Sequence, residues 1–306
     1  MAIDNRARVL RERLAVGRLL IVPGAFNALS ALMIEQAGFE AVYATGAGIS
    51  NSYLGVPDLG LLSVSELAGH VRAMTAVTTV PLLVDIDTGF GGVHNVARTI
   101  REIEMAGGAA VQIEDQVFPK RCGHFSGKQM VPAEEMIAKI IAAGEARNTD
   151  LVIIARTDAI AVEGFEAAVE RGRLYMEAGA DMIFVEALET EEQIRAAAAA
   201  IEAPKLINLV EGGRTPFLPI EELEALGYAM AAFGNFALRA AMKALRDLLA
   251  RLRAAGTSAA LIAEILSWEE RQQTVGLEQF DERETRLREL AEDIARARSS
   301  SLRAES

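Results

Sequence analysis

Three carboxylates mark the stretches of this chain best suited to chemistry: Asp85 and Asp87 in PLLVDIDTGFGG, and Glu114 in AAVQIED. An extended backbone sends alternate side chains to one face, so Asp85 and Asp87 share a face, as do Gln112 and Glu114. Carboxylates gathered this closely repel one another and rise in pKa unless a cation compensates them. A divalent metal supplies that charge. An all-oxygen donor set without Cys or His favours Mg²⁺, with Mn²⁺ also acceptable, over zinc. The competing reading makes these acids caps of the helices that follow, and for Asp158 in ARTDA capping and function stand level.

A second reactive stretch is PKRCGHFSGK, residues 119–128, which holds the single cysteine of the chain. Lys120, Arg121 and His124 beside Cys122 would stabilise a thiolate, or let the thiol act as an acid that is readily reprotonated. The alternative is a buried, inert cysteine, but the local sequence is polar and has no apolar periodic face. The Gly and Pro content suits a mobile lid over the site. Thr45-Gly46-Ala47-Gly48 lacks the spacing of a dinucleotide fingerprint. Its backbone amides are equally readable as a plain turn or as a cradle for a carboxylate.

The elements that must position these residues follow from hydrophobic periodicity. Eight short apolar runs suit buried parallel strands: LLIVPGA, AVYATGA, PLLVDID, AAVQIED, LVIIARTD, DMIFVEA, PKLINLV and YAMAAFG. Segments with helical spacing lie between them, at Asn27–Gln36, Ser65–Ala76, His94–Met105, Ala133–Ala146, Glu166–Glu177 and Glu191–Ala200. His70 and His94 fall in these helices as surface or packing residues. Four junctions, QAGFEAVY, MAGGAAVQ, EAGADMIF and ALGYAMAA, place a Gly where a left-handed C-cap would end one helix before the next strand. Eight βα units predict an α/β fold, a closed (β/α)₈ TIM barrel, over residues 1–250. Residues 251–306 read as a charged helical extension with an apolar face that could pack on a neighbouring subunit. In such a barrel the strand ends carry the chemistry, and here they end in Asp85, Asp87, Glu114, Arg156, Glu186 and Asn208.

Composition excludes several classes. With 43 acidic against 31 basic residues, a net charge of -12 leaves no broad cationic surface for nucleic acid. One cysteine forms no internal disulfide, and the charged N-terminus is no secretory signal, so a cytoplasmic protein is expected. No apolar run approaches the roughly 20 residues of a membrane span.

LGVPDLG, DIDTGFGG, IEDQ, KRCGH and ARTDA, with NLVEGGRTP downstream, occur in that order across nearly the whole chain. By these motifs the chain resembles the isocitrate lyase and phosphoenolpyruvate mutase superfamily, and KRCGH after IEDQ is a highly specific signal. The resemblance implies a (β/α)₈ barrel whose C-terminal helix is exchanged between subunits, usually in a tetramer. It implies Mg²⁺ near Asp85 and Asp87, with Asp58 and Glu114 supporting it through water. Thr45, Gly46 and Ala47 match the segment that grips the α-keto acid carboxylate. Gly123, Arg156, Glu186, Asn208 and Arg239, the last in NFALRAA, match further substrate contacts. Cys122 matches the general acid, with Lys120 and His124 tuning it.

The implied activity is Mg²⁺-dependent cleavage of a carbon–carbon bond in a 2-hydroxy di- or tricarboxylate, releasing an α-keto acid. The retained cysteine favours the lyase branch, within which the chain departs from the short-chain methylisocitrate lyase pattern and is more similar to the 2,3-dimethylmalate lyase and plant petal death protein group. Phe125 in place of an arginine after CGH removes a cation for a third substrate carboxylate, which favours a substituted malate. The alternatives are methylisocitrate cleavage, oxaloacetate hydrolysis, carboxyvinyl-carboxyphosphonate phosphorylmutase chemistry, and a barrel that binds a small acid without turnover.

Overall fold

The computed structural model describes residues 6–121 and 127–304. Each apolar run forms a strand: β1 Leu20–Ala25, β2 Val42–Ala44, β3 Leu82–Asp85, β4 Ala110–Glu114, β5 Val152–Thr157, β6 Met182–Val185, β7 Lys205–Asn208 and β8 Tyr228–Phe233. All pairings are parallel and follow chain order, and β8 returns to β1 through the Leu20–Met230 and Ile21–Ala231 pairs, so the barrel is closed. The expected (β/α)₈ architecture is the one observed.

Helices α1 Arg6–Ala15, α2 Ala28–Gln36, α3 Gly46–Ile49, α4 Val64–Val77 and α5 Val93–Met105 cover the first half of the barrel. They are followed by α6 Ala133–Ala146, α7 Ile160–Glu163, α8 Phe165–Glu177, α9 Glu191–Ala200, α10 Ile220–Ala225 and α11 Phe236–Ala255. Local chemistry sets their starts. Asn27 and Ser63 each close a reciprocal capping box, with Ser30 and Glu66 respectively, and Thr190 caps α9. The four predicted glycine junctions are left-handed as expected, with φ of 89° at Gly38, 89° at Gly107, 100° at Gly179 and 78° at Gly227.

The barrel wall separates two apolar layers by strand parity. Leu20, Val22, Leu83, Ala110, Ile154, Met182, Phe184, Leu206 and Met230 fill the interior, and α1 adds Ala7 and Leu10 to that cluster. Val42, Val84, Val111, Ile153, Ile183 and Ile207 face the helices. At the β1–β8 seam a Cβ on Gly24 would lie 2.0 Å from the Gly234 carbonyl oxygen. Only glycine lets the two backbones approach that closely.

The chain divides into two compact units, residues 1–242 and 243–306. The second contains the end of α11, a 3₁₀ turn at Ala259–Glu264, α12 Trp268–Thr274 and α13 Leu277–Ala304. Within it the Arg271 guanidinium stacks on Trp268, 4.3 Å from the ring centroid. Leu245, Leu249, Leu266, Phe280, Leu290 and Ile294 of this unit are exposed. Among the described residues, no helix is long and apolar enough to cross a membrane.

Candidate active site

Strand parity carries the site residues into the barrel mouth. Asp85 continues the interior face of Leu83, Glu114 that of Ala110 and Gln112, Arg156 that of Ile154, Glu186 that of Phe184, and Asn208 that of Leu206. Register sets Asp85 opposite Gln112 and Glu114 opposite Arg156. On β3, β4, β5 and β6 the interior face thus passes from apolar residues to a charged one at the strand end.

Asp85 is held by neutral donors. Tyr43 Oη–H donates to it at 3.4 Å, the Gly46 amide at 3.3 Å, the Asp87 amide at 3.1 Å and Gln112 Nε2 at 3.5 Å. Asp87 sits in a left-handed conformation, φ 49°, at the start of TGFGG, and Asp tolerates this better than most residues. A Cβ on Gly46 would lie 3.1 Å from Asp85 and 3.3 Å from Asp87, so both carboxylates abut this one backbone position. Lys120 Nζ completes the group, 2.7 Å from Asp58 and 2.9 Å from Asp87.

A second cluster surrounds Arg156. Its guanidinium donates to Asp158 at 2.9 and 3.0 Å, lies 3.3 Å from Glu114 and 3.4 Å from Glu186, and rests over the Phe184 ring. Lys128 Nζ donates to Asp158 at 3.0 Å. Asp158 is therefore an ion-network residue. It does not cap α7, whose N-cap residue is Ala159 with no side-chain cap bond.

Burial and charge act in opposite directions here. Burial, helped by Asp85 and Asp58, pushes the Asp87 carboxyl up to about 6 although Lys120 pulls it down. Burial likewise raises Glu114 well above the carboxylate range against Arg156 and Lys120. Asp158 goes the other way, to about 2: burial opposes ionisation, but Arg156 and Lys128 outweigh it. Burial lowers Lys120, yet Asp87, Glu114, Asp58 and Asp85 together hold its ammonium well above the usual lysine range.

Among the described residues, no group of three or more His, Cys, Asp or Glu side chains is drawn tightly enough together to hold a metal ion. Asp85 and Asp87 lie side by side at Gly46, with Asp87 paired to Lys120 and Glu114 to Arg156. The donor chemistry still fits a hard divalent cation, because the acids are buried and all-oxygen and Glu114 is short of hydrogen-bond donors. Glu114 Oε1 has no hydrogen-bond partner among the described residues.

Thr45 caps the short α3 by accepting from the Gly48 amide, so TGAG is a helical turn. The Gly46 amide is taken by Asp85, and the Ala47 amide finds no partner among the described residues. Arg239 is 54% exposed at its side chain and donates to the Glu211 carbonyl at 2.5 Å. It lines a cleft of about 550 Å³ together with Ala47, Asn51, Val56, Asp58 and Asn235. Asn208 Oδ1 is buried without a partner among the described residues. Cys122, Gly123 and His124 lie outside the described residues, but the chain leading to them is fixed. Gln116 accepts from the Arg121 amide at 3.0 Å and donates to its carbonyl at 2.9 Å, and the Val117 amide donates to the Gln129 carbonyl at 2.8 Å.

Three further residues complete the networks around the site. Tyr43, whose hydroxyl bridges Asp85 and Gln112 at 3.0 Å from the latter, was legible by parity in AVYA but carries no charge to attract notice. Lys128 gave no signal. Asp115 accepts from the Thr157 hydroxyl at 2.7 Å, the Asp158 amide at 3.0 Å, the Tyr175 hydroxyl at 2.7 Å and Arg171 at 3.4 Å. It ties the ends of β4 and β5 to α8 on the helix-facing side.

Residues 10–253 match the phosphoenolpyruvate phosphomutase family. The chain is 44% identical over 292 residues to 2-methylisocitrate lyase of Aeropyrum pernix, covering 95% of this chain and 94% of that protein. The crystal structure of a 2,3-dimethylmalate lyase superposes with a TM-score of 0.88 at 33% identity, over 92% of this chain and 95% of that one. A phosphonopyruvate hydrolase in complex with oxalate and Mg²⁺ superposes with a TM-score of 0.84 at 36% identity, over 92% and 98% of the two chains. A match of this extent, together with a closed barrel whose strand ends carry the motif residues, makes the chain a member of the phosphoenolpyruvate phosphomutase family.

Proposed function

We propose that this protein is a carbon–carbon lyase that cleaves the C2–C3 bond of a short 2-hydroxy dicarboxylate of the 2-alkylmalate type, or of methylisocitrate, to give an α-keto acid and a second carboxylate. The observation that carries this reading is the buried ring of Asp85, Asp87, Glu114, Arg156 and Glu186 at one end of the barrel, with Lys120 set among its carboxylates. Relatives named 2-methylisocitrate lyase and 2,3-dimethylmalate lyase support the reaction class.

Asp85 and Asp87, supported by Asp58 and Glu114, would hold Mg²⁺, and bound there it supplies Lewis-acid polarisation of the oxygen on C2. The chain's own residues do the rest. A general base takes the C2 hydroxyl proton, the O–H electrons form the ketone, and the C2–C3 pair passes to C3, where the attached carboxylate delocalises it. Cys122 returns a proton to C3, with Lys120 and His124 biasing the thiol toward easy exchange. The Ala47 amide and Arg239 donate to substrate carboxylates at the cleft they line. Arg156 holds Glu114 and Glu186 in place and stabilises negative charge as it develops. The enzyme works in the cytoplasm as a homo-oligomer, a tetramer, in which residues 251–306 pack on a neighbouring subunit.

The test is to incubate the protein and Cys122→Ser with Mg²⁺ and 2-methylisocitrate, isocitrate, 2,3-dimethylmalate, 2-ethyl-3-methylmalate, oxaloacetate and phosphonopyruvate, following products by mass spectrometry. Selective keto-acid release that drops at least ~100-fold in Cys122→Ser supports the assignment. Release from phosphonopyruvate alone, or unchanged turnover by Cys122→Ser, overturns it.

A further inference from the structure

The acids at the barrel mouth already have a cation of the chain's own. Lys120 Nζ lies 2.7 Å from each oxygen of Asp58 and 2.9 Å from Asp87 Oδ1, and its side chain is 3% exposed. The nearest cationic neighbour in the ring, Arg156, is turned to Glu114, Asp158 and Glu186 and touches neither Asp58 nor Asp87. Lys120 is also fixed by its backbone. Gln116 clamps the next residue, Arg121, and Lys120 N lies 3.3 Å from where a Cβ on Gly60 would sit, so the ammonium is delivered from a packed segment.

We infer that Lys120 is a built-in counter-ion, holding Asp58 and Asp87 together when no metal is bound and opposing a divalent cation that takes the same carboxylates. This rests on the reading of Asp85, Asp87, Asp58 and Glu114 as the Mg²⁺ site. The physical argument is one of charge. A dication on Asp87 would sit within a few ångströms of an ammonium buried with it, where water screens their repulsion poorly. Without the ammonium, the same carboxylates face one another uncompensated until a metal arrives. The lysine therefore lends the metal-free protein stability and costs it metal affinity. By linkage, the metal in turn loosens Lys120 from Asp58 and Asp87.

Chelator-stripped full-length protein, Lys120→Met, Lys120→Gln and Lys120→Arg are titrated with Mg²⁺ alone by calorimetry, and melted in EDTA and in Mg²⁺. Lys120→Met and Lys120→Gln are expected to bind Mg²⁺ at least about tenfold tighter than the parent, to melt lower in EDTA, and to gain more on adding Mg²⁺. Lys120→Arg, which keeps the cation, stays near the parent. Lys120→Gln keeps a polar head and serves if Lys120→Met does not fold, as judged by circular dichroism. Equal or weaker Mg²⁺ binding by a folded neutral variant overturns the inference while leaving the metal site standing. Absence of Mg²⁺ binding in the parent and every variant removes the metal site itself, and the inference with it.

Discussion

At the scale of single residues, the mouth of the barrel is a problem in buried charge, and Asp158 shows how it is solved. Its carboxylate receives two bonds from Arg156 and one from Lys128 in a fully buried setting. Removing one partner of such a network leaves charge uncompensated, so Asp158→Asn is expected to cost ~3–5 kcal/mol in urea unfolding. The sign of the pH effect follows from the depressed carboxyl. With a folded-state value of about 2 against 3.8 for the free side chain, its stabilisation is complete above about pH 4 and is lost as pH falls toward 2. Asp158→Asn should flatten the acid limb of a stability-versus-pH curve in that window. Asp115 gives a sharper test of geometry. Its Oδ2 accepts from Thr157, Tyr175 and Arg171 and its Oδ1 from the Asp158 amide, so in either orientation an amide nitrogen would face a fixed N–H donor, Arg171 or the Asp158 amide. Asp115→Asn, though isosteric, is therefore expected to lose ~2–3 kcal/mol, much as Asp115→Ala does, by thermal or urea unfolding. The acids of this site were legible in the sequence because parity along a strand is fixed by the backbone. Their partners were not: Lys120 reaches Asp58 across 62 residues, and Lys128 reaches Asp158 across 30.

At the scale of elements, local rules placed the six helices predicted between strands to within a residue at each end. α6 and α9 run Ala133–Ala146 and Glu191–Ala200, as periodicity predicts, and α2 begins one residue after its Asn27 cap. The short α3 stood in the sequence as a plain turn or a carboxylate cradle, because Gly-Ala-Gly has poor helix propensity and the Thr45 cap and the Asp85 carboxylate organise it. Closure of the barrel rests on a close backbone approach at Gly24 and Gly234. Gly24→Ala puts a methyl group 2.0 Å from a carbonyl oxygen, with backbone on both sides and no flexible side chain to yield. A loss above ~3 kcal/mol, or failure to fold, is expected and would be read by urea denaturation. Gly69→Ala, an exposed helix position in α4 with open space around it, is the matched control and should be neutral or slightly stabilising.

At the scale of the whole molecule, residues 243–306 expose Leu245, Leu249, Leu266, Trp268, Phe280 and Leu290, which is costly for a chain alone in water. Light scattering at micromolar concentration is expected to give a multiple of the 32.8 kDa chain mass, and a tetramer if the proposed assembly holds. A monomer at that concentration would count against it. The sequence by itself determined the eight-unit barrel, the rim on which the chemistry sits and the acids that face inward, because period-two alternation and glycine caps are local properties of the backbone. Only the tertiary structure decided which cation answers which acid. Lys120, Arg156 and Lys128 meet carboxylates from other strands and loops, and such pairing depends on closure of the barrel, which no single segment encodes.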